Sequence, residues 1–112
     1  MRSLTRYFVL TSFALASGLT LAASDRLEDG RKAYVASCAT CHETGTDGAP
    51  SVHQAEDWKN RSQLWDAVLF THAEKGYLTM PAKGGDNSIS TYDVDVAAEY
   101  MLTISHPDMA HD

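Results

Sequence analysis

Cysteine is almost absent from this chain: Cys38 and Cys41 are the only two in 112 residues. A disulfide framework is therefore not what supports the fold, because a bridge between them would close a tiny loop, and the gain from closure grows with loop length. Zinc is argued against as well. There is no second cysteine pair, and His53, His72, His106 and His111 lie scattered. Lysine and arginine form no cluster, which removes the usual footprint of a nucleic-acid binder. Strand-like alternation is also missing, so a thioredoxin-like dithiol lacks its βαβ setting.

The only lengthy apolar run is at the N-terminus. Arg2 and Arg6 precede a mostly apolar stretch from Tyr7 to about Ala16, and small residues follow at Leu21-Ala22-Ala23-Ser24, with no acidic side chain before Asp25. This layout predicts a signal peptide over residues 1–24, cleaved near 22–24, and export to the periplasm. The rival reading is an uncleaved anchor. It is the weaker one because Thr11, Ser12, Ser17, Gly18 and Thr20 break a run that barely reaches spanning length. No stable membrane insertion is expected once the leader is gone.

Removal of the leader takes away two of nine basic residues and none of fifteen acidic ones, leaving a formal charge of −8. An acidic surface favours solubility and attracts partners with basic docking patches. What remains is about 88 residues, a single domain over 25–105 with a frayed tail at 106–112, expected to be a monomer. A domain of this size buries only about two-thirds of its unfolded surface. A cofactor is the natural supplement to so small a core.

Three helical segments are predicted. The first runs from about Arg26 into Cys38, with Leu27, Gly30, Ala33 or Tyr34 and Ser37 or Cys38 on one face. Gly30 costs such a helix roughly 1 kcal/mol relative to alanine, which suggests a close backbone neighbour. The second spans about Ser62 to Lys75, capped by Asn60 or Ser62 and stopped at Gly76, with Leu64, Trp65, Val68, Leu69 and Ala73 as its apolar stripe. The third starts at Ser90, where Ser90 and Asp93 approximate a capping box. It buries Val94, Ala97, Ala98 and Met101 and ends near Ser105, ahead of Pro107. Between the helices lie about nineteen residues from Glu43 to Arg61 and about fourteen from Gly76 to Ile89. Loops that long in a compact domain usually serve a site.

The site is signalled by Cys38-Ala39-Thr40-Cys41-His42. In an exported protein, C-x-x-C-H marks covalent attachment of a c-type haem, each thiol adding to a vinyl group and the imidazole lying beneath the iron. The sixth iron position then has several candidates. Met101 belongs to a helical stripe and Met109 to the tail, whereas Met80 lies in a loop followed by Pro81 and by Gly84-Gly85. His72 falls inside a predicted helix. His53, in the first long loop, stays open as a rival to Met80, because imidazole is an excellent iron ligand.

Gly30 and Tyr34, the C-x-x-C-H motif, Gly48-Ala49-Pro50, Trp58, Arg61, the Gly76 approach to Met80-Pro81-Ala82-Lys83-Gly84, and Glu99-Tyr100-Met101 together resemble class I c-type cytochromes, most nearly the cytochrome c5 group. The resemblance covers nearly the whole chain after the leader. It implies an all-α class I cytochrome c fold, three main helices with long loops wrapped around one covalently bound haem c, the first and last helices crossing near Gly30 and Tyr100. By the same resemblance His42 is the proximal ligand and Met80 the distal one. The Pro50 carbonyl would accept a hydrogen bond from His42, and Trp58 and Arg61 would lie near the haem propionates. One departure stands out. Members of that group often carry a further cysteine pair after the Lys-Gly of the methionine loop, and Gly85 to Ser90 contains none.

The resulting expectation is an electron-transfer protein rather than an enzyme, carrying one electron at a time between redox partner proteins. Two other functions are compatible with a haem motif: a haem subunit of a larger oxidoreductase, and a haem enzyme or gas sensor with a labile sixth ligand.

Overall fold

The computed structural model describes residues 17–59 and 66–108. The expectations attached to Arg61, Leu64, Trp65, Met109, His111 and most of the leader fall outside those residues. Five helices occur among the described residues: α1 (Ser17–Ser37), α2 (Ala39–His42), α3 (Ala55–Trp58), α4 (Asp66–Lys75) and α5 (Thr91–Ser105). Tight 3-10 turns at Thr46–Gly48 and Ala82–Gly85 lie in the two long connections. The chain has the all-α architecture that the sequence predicts, and α1, α4 and α5 are its three main helices.

The first helix begins earlier than the apolar periodicity suggests, at Ser17 rather than near Arg26. Leu19, Leu21, Ala22 and Ala23 are strong helix formers, so local propensity carries the helix back to Ser17. Its predicted buried face needs one correction, since Leu27 is 40% exposed while Ala33 and Tyr34 are buried. The last helix matches its predicted limits. Ser90 caps it, its hydroxyl accepting from the Asp93 N–H at 3.0 Å, and Val94, Ala97, Ala98 and Met101 are all buried. Val96 and Leu102 join them, at 1% and 5% exposure.

The crossing of α1 over α5 organises the core. A Cβ on Gly30 would overlap the Val96 carbonyl oxygen and stand 3.0 Å from the Tyr100 Cβ, so only glycine permits this approach. Around the crossing, the Tyr34 and Tyr100 rings lie 5.4 Å apart. Arg26 Nε donates to Glu99 Oε2 at 2.6 Å, and the Tyr92 hydroxyl donates to Asp29 Oδ2 at 2.9 Å. Both bonds are near the surface and contribute modestly. Burial does most of the work, through Ala33, Tyr34, Val52, Trp58, Val96, Ala97 and Met101.

Helix α4 packs against α5, and its Val68, Leu69 and Ala73 side chains are half-buried. It stops at Gly76, whose N–H bonds to the His72 carbonyl at 2.9 Å. Gly76 has φ +84°, and a Cβ there would come within 2.9 Å of both the Met80 oxygen and the Ala82 nitrogen. That turn sends the chain directly into the segment containing Met80.

Candidate functional site

Cys38, Cys41 and His42 are arranged by a single helical turn. The Cys38 carbonyl accepts from the N–H groups of Cys41 and His42 at 3.2 and 3.1 Å. Residues three and four apart on a helix share a face, so the turn puts both thiols and the imidazole on one side of the chain. Cys41 is exposed and Cys38 half-buried. Burial, reinforced by the neighbouring Cys41, pushes the Cys38 thiol up to about 11. A thioether at this position has no proton to lose.

His42 is buried, with 8% of its surface exposed. Its Nδ1 lies 2.9 Å from the Pro50 carbonyl oxygen. A carbonyl only accepts, so Nδ1 is the donor, and in the neutral imidazole this tautomer places the lone pair on Nε2. The loop carrying Pro50 is also tied to the His42 backbone, since the Val52 N–H donates to the His42 carbonyl at 2.9 Å. Its other edge is held by the residues that follow. The Ser51 N–H donates to Asp57 Oδ2 at 3.1 Å, and the Trp58 indole N–H donates to the Ser51 carbonyl at 2.7 Å. Trp58 is buried, and its ring stacks toward the His42 imidazole at 6.2 Å between centroids. Pro50 and Trp58 are thus brought to His42 by one continuous hydrogen-bonded loop.

A second set of contacts was not readable from the sequence. The buried Tyr34 hydroxyl donates to Glu43 Oε2 at 2.5 Å, which links α1 to the residue immediately after His42. Burial first, and then the Glu43 carboxylate, drive the Tyr34 phenol far above its usual range. The Glu43 carboxyl is held below its ordinary value, chiefly by Tyr34 and then by His53. His53 Nε2 lies 2.7 Å from Glu43 Oε1 on the exposed side, so the nitrogen that made His53 a rival ligand is engaged there. The sequence carries only a weak hint of this arrangement, a carboxylate next to the haem motif.

Met80 is half-buried on a two-residue hairpin. The Tyr77 N–H donates to the Met80 carbonyl at 3.0 Å and the Met80 N–H to the Tyr77 carbonyl at 2.9 Å. His72, the other rival ligand, stacks on Tyr77 with ring centroids 3.8 Å apart and 11° between planes. Met101 is 9% exposed and belongs to the core. The donor set suits a covalent haem: two thiols at the required spacing, an imidazole whose Nε2 is left free by the Pro50 contact, and a thioether on a separate loop. Among the described residues, no group of three or more His, Cys, Asp and Glu side chains could hold a metal ion by itself.

A first and a last helix that cross at Gly30, with a C-x-x-C-H turn directly after the first, define a class I c-type cytochrome. Residues 25–101 match the family model described as "Cytochrome C oxidase, cbb3-type, subunit III", and the chain belongs to that cytochrome c family. Among curated relatives, cytochrome c-555 of Chlorobaculum tepidum is 40% identical over 77 residues, covering 65% of this chain and 71% of that protein. Cytochrome c-555 of Prosthecochloris aestuarii is 33% identical over 84 residues, 68% of this chain and 85% of the relative. Cytochrome c-551 of Halorhodospira halophila is 38% identical over 80 residues, 67% of this chain and 97% of the relative. This chain is accordingly an electron-transfer protein rather than an enzyme, and it carries one haem c bound through Cys38 and Cys41. Among the described residues, no helix is long and apolar enough to cross a membrane.

Proposed function

We propose that the chain is an exported, monomeric one-electron carrier whose iron is held between His42 Nε2 and Met80 Sδ. The observation that carries this reading is the 2.9 Å contact of His42 Nδ1 with the Pro50 carbonyl, which fixes the imidazole in the tautomer a metal requires. When bound, haem supplies a single-electron ferric/ferrous couple. The task of the protein residues is to hold, orient and shield. Cys38 and Cys41 tether the group, Pro50 and the Ser51–Trp58 bond keep the imidazole in place, and Trp58 closes that side against water. Arg61 is assigned to a haem propionate, the role its place in the motif order implies. Two protein ligands leave no iron position open to a substrate, and a methionine sulfur favours the ferrous state, which raises the potential.

Residues 1–24 act as the export signal in this reading and 25–105 as the haem domain, working in the periplasm. A net acidic mature chain would be steered toward donors and acceptors with basic docking patches. The decisive experiment is optical. Met80→Ala should abolish the sulfur-to-iron charge-transfer band of the ferric protein, while Met101→Ala, a change in the core, should keep it. A band that survives Met80→Ala would sink the ligand assignment. Rapid carbon monoxide binding to the reduced native protein would instead favour a sensor or enzyme with a labile sixth ligand.

A second reading is favoured by one observation, the family description, which names an oxidase subunit. In that case the chain is the haem subunit of a larger oxidoreductase. Untagged protein isolated from the periplasmic fraction should travel alone if it is a free carrier and with an enzyme if it is a subunit.

A further inference from the structure

The arm that presents Met80 has no covalent support of its own, because both cysteines of the chain lie in the haem-attachment motif. It leaves α4 at Gly76 and turns back through Leu78 and Thr79. The turn contributes little rigidity. Leu78 is 83% exposed and sits at φ +53°, a conformation that an L-residue adopts at a cost. Its two backbone hydrogen bonds couple Tyr77 to Met80, so whatever holds Tyr77 also holds the methionine. On the descending limb, Lys83 Nζ donates to the Ile89 carbonyl at 3.1 Å, and the Ser37 hydroxyl donates to Asp86 Oδ2 at 3.1 Å. Ser37 directly precedes Cys38, so that limb is tied to the start of the haem-attachment turn. On the ascending limb the corresponding tie is aromatic. The Tyr77 ring lies nearly parallel to the His72 imidazole, 3.8 Å away, and His72 belongs to the last turn of a helix packed on α5. Tyr77 is 48% exposed, and the stack on His72 is the ring contact that it makes.

We propose that His72 and Tyr77 form a clasp that fixes the Met80 arm against α4 and so keeps the distal sulfur at the iron. His72 is then a positioning residue: it acts on the iron's sixth position through Tyr77 and the Tyr77–Met80 hydrogen bonds. The inference rests on the reading of Met80 as the distal ligand.

The test is competition by free imidazole for the iron of the ferric holoprotein. Imidazole binds only where the arm has released, so its apparent affinity reports the released fraction. Loss of an aromatic pair of this kind should raise that fraction, and the imidazole affinity, about threefold to tenfold in His72→Ala. His72→Phe, which preserves the ring face, should return the affinity to the native value. Tyr77→Leu removes the stack from the other side and should reproduce His72→Ala, which guards against a variant that does not fold. Native affinity in both His72→Ala and Tyr77→Leu overturns the clasp, as does a failure of His72→Phe to restore it. Met80→Ala separates the two levels of the argument. It should bind imidazole more tightly than every other variant, and if it binds like the native protein the ligand reading fails and the clasp falls with it.

Discussion

Replacing Gly30 by alanine sets two physical effects against each other at one atom. In an isolated helix the change is favourable by about 1 kcal/mol, because glycine has the greater backbone freedom to lose. At the α1–α5 crossing the new methyl would overlap the Val96 carbonyl oxygen and crowd the Tyr100 Cβ at 3.0 Å. The obstacle is backbone, so no side chain can rotate away. Val96 and Ala97 are 1% and 0% exposed, and the helix behind them has no free volume to enter. Overpacking of this kind costs about 1–3 kcal/mol, and a backbone obstacle belongs at the upper end. With about 3 kcal/mol against and about 1 kcal/mol in favour, the net loss is roughly 2 kcal/mol. For a domain of this length that corresponds to a fall of about 8–16 °C in the melting temperature. Thermal unfolding of the ferric holoprotein followed by circular dichroism would measure it. Ala36→Gly, at an exposed position of the same helix, calibrates the propensity effect and should cost about 1 kcal/mol. A Gly30→Ala protein that melts at or above the native temperature would refute the argument, because propensity would then have won and the crossing would not be tight.

Trp58→Phe keeps the ring beside His42 but removes the 2.7 Å donor to the carbonyl of buried Ser51, which retains its 3.1 Å bond from the Gln54 N–H. A loss of about 0.5–1.5 kcal/mol is expected in urea unfolding with haem still attached, because the carbonyl is not left unsatisfied, and an unchanged midpoint would show the bond to be dispensable. Asp95 offers a prediction about pH. Burial, then a hydrogen bond shared with Glu74, raises its pKa, and its buried Oδ1 has no hydrogen-bond partner among the described residues. Ionised Asp95 therefore works against the folded state above its raised pKa, and this penalty disappears once the pH falls below the ordinary aspartate value of about 4. Asp95→Asn should be more stable than the native protein at neutral pH and lose that advantage in acid. An advantage independent of pH would rule out this cause.

The features legible in the sequence were those set by neighbours along the chain. The Ser90 cap, the stop at Gly76 and the stripe on α5 follow from residues within a few positions of one another, and the structure has them where periodicity predicts. Gly30 signalled a close approach but not its partner, which lies about seventy residues away. Leu27 fitted the apolar spacing of α1 yet stands 40% exposed, because periodicity gives a face and says nothing of how far the opposing helix extends along it. The Tyr34–Glu43–His53 chain and the His72–Tyr77 stack were invisible. Each depends on how a loop folds back in space, and neither Glu43 nor Tyr77 has a spacing that would mark it.

The Arg26–Glu99 bond joins residues separated by 73 positions, and Tyr92–Asp29 by 63. By contrast, the contacts around His42 are short in range: 8 positions to Pro50, 7 from Trp58 to Ser51, 9 from Tyr34 to Glu43 and 10 from His53 to Glu43. Bringing two ends about seventy residues apart costs roughly 4 kcal/mol of chain entropy, from 1.5RT times the logarithm of the loop length, against about 2 kcal/mol for a loop of ten. The segment that grips the imidazole therefore closes on itself at little entropic cost, whereas the α1–α5 crossing has to recover a larger closure cost from the apolar surface buried around Gly30.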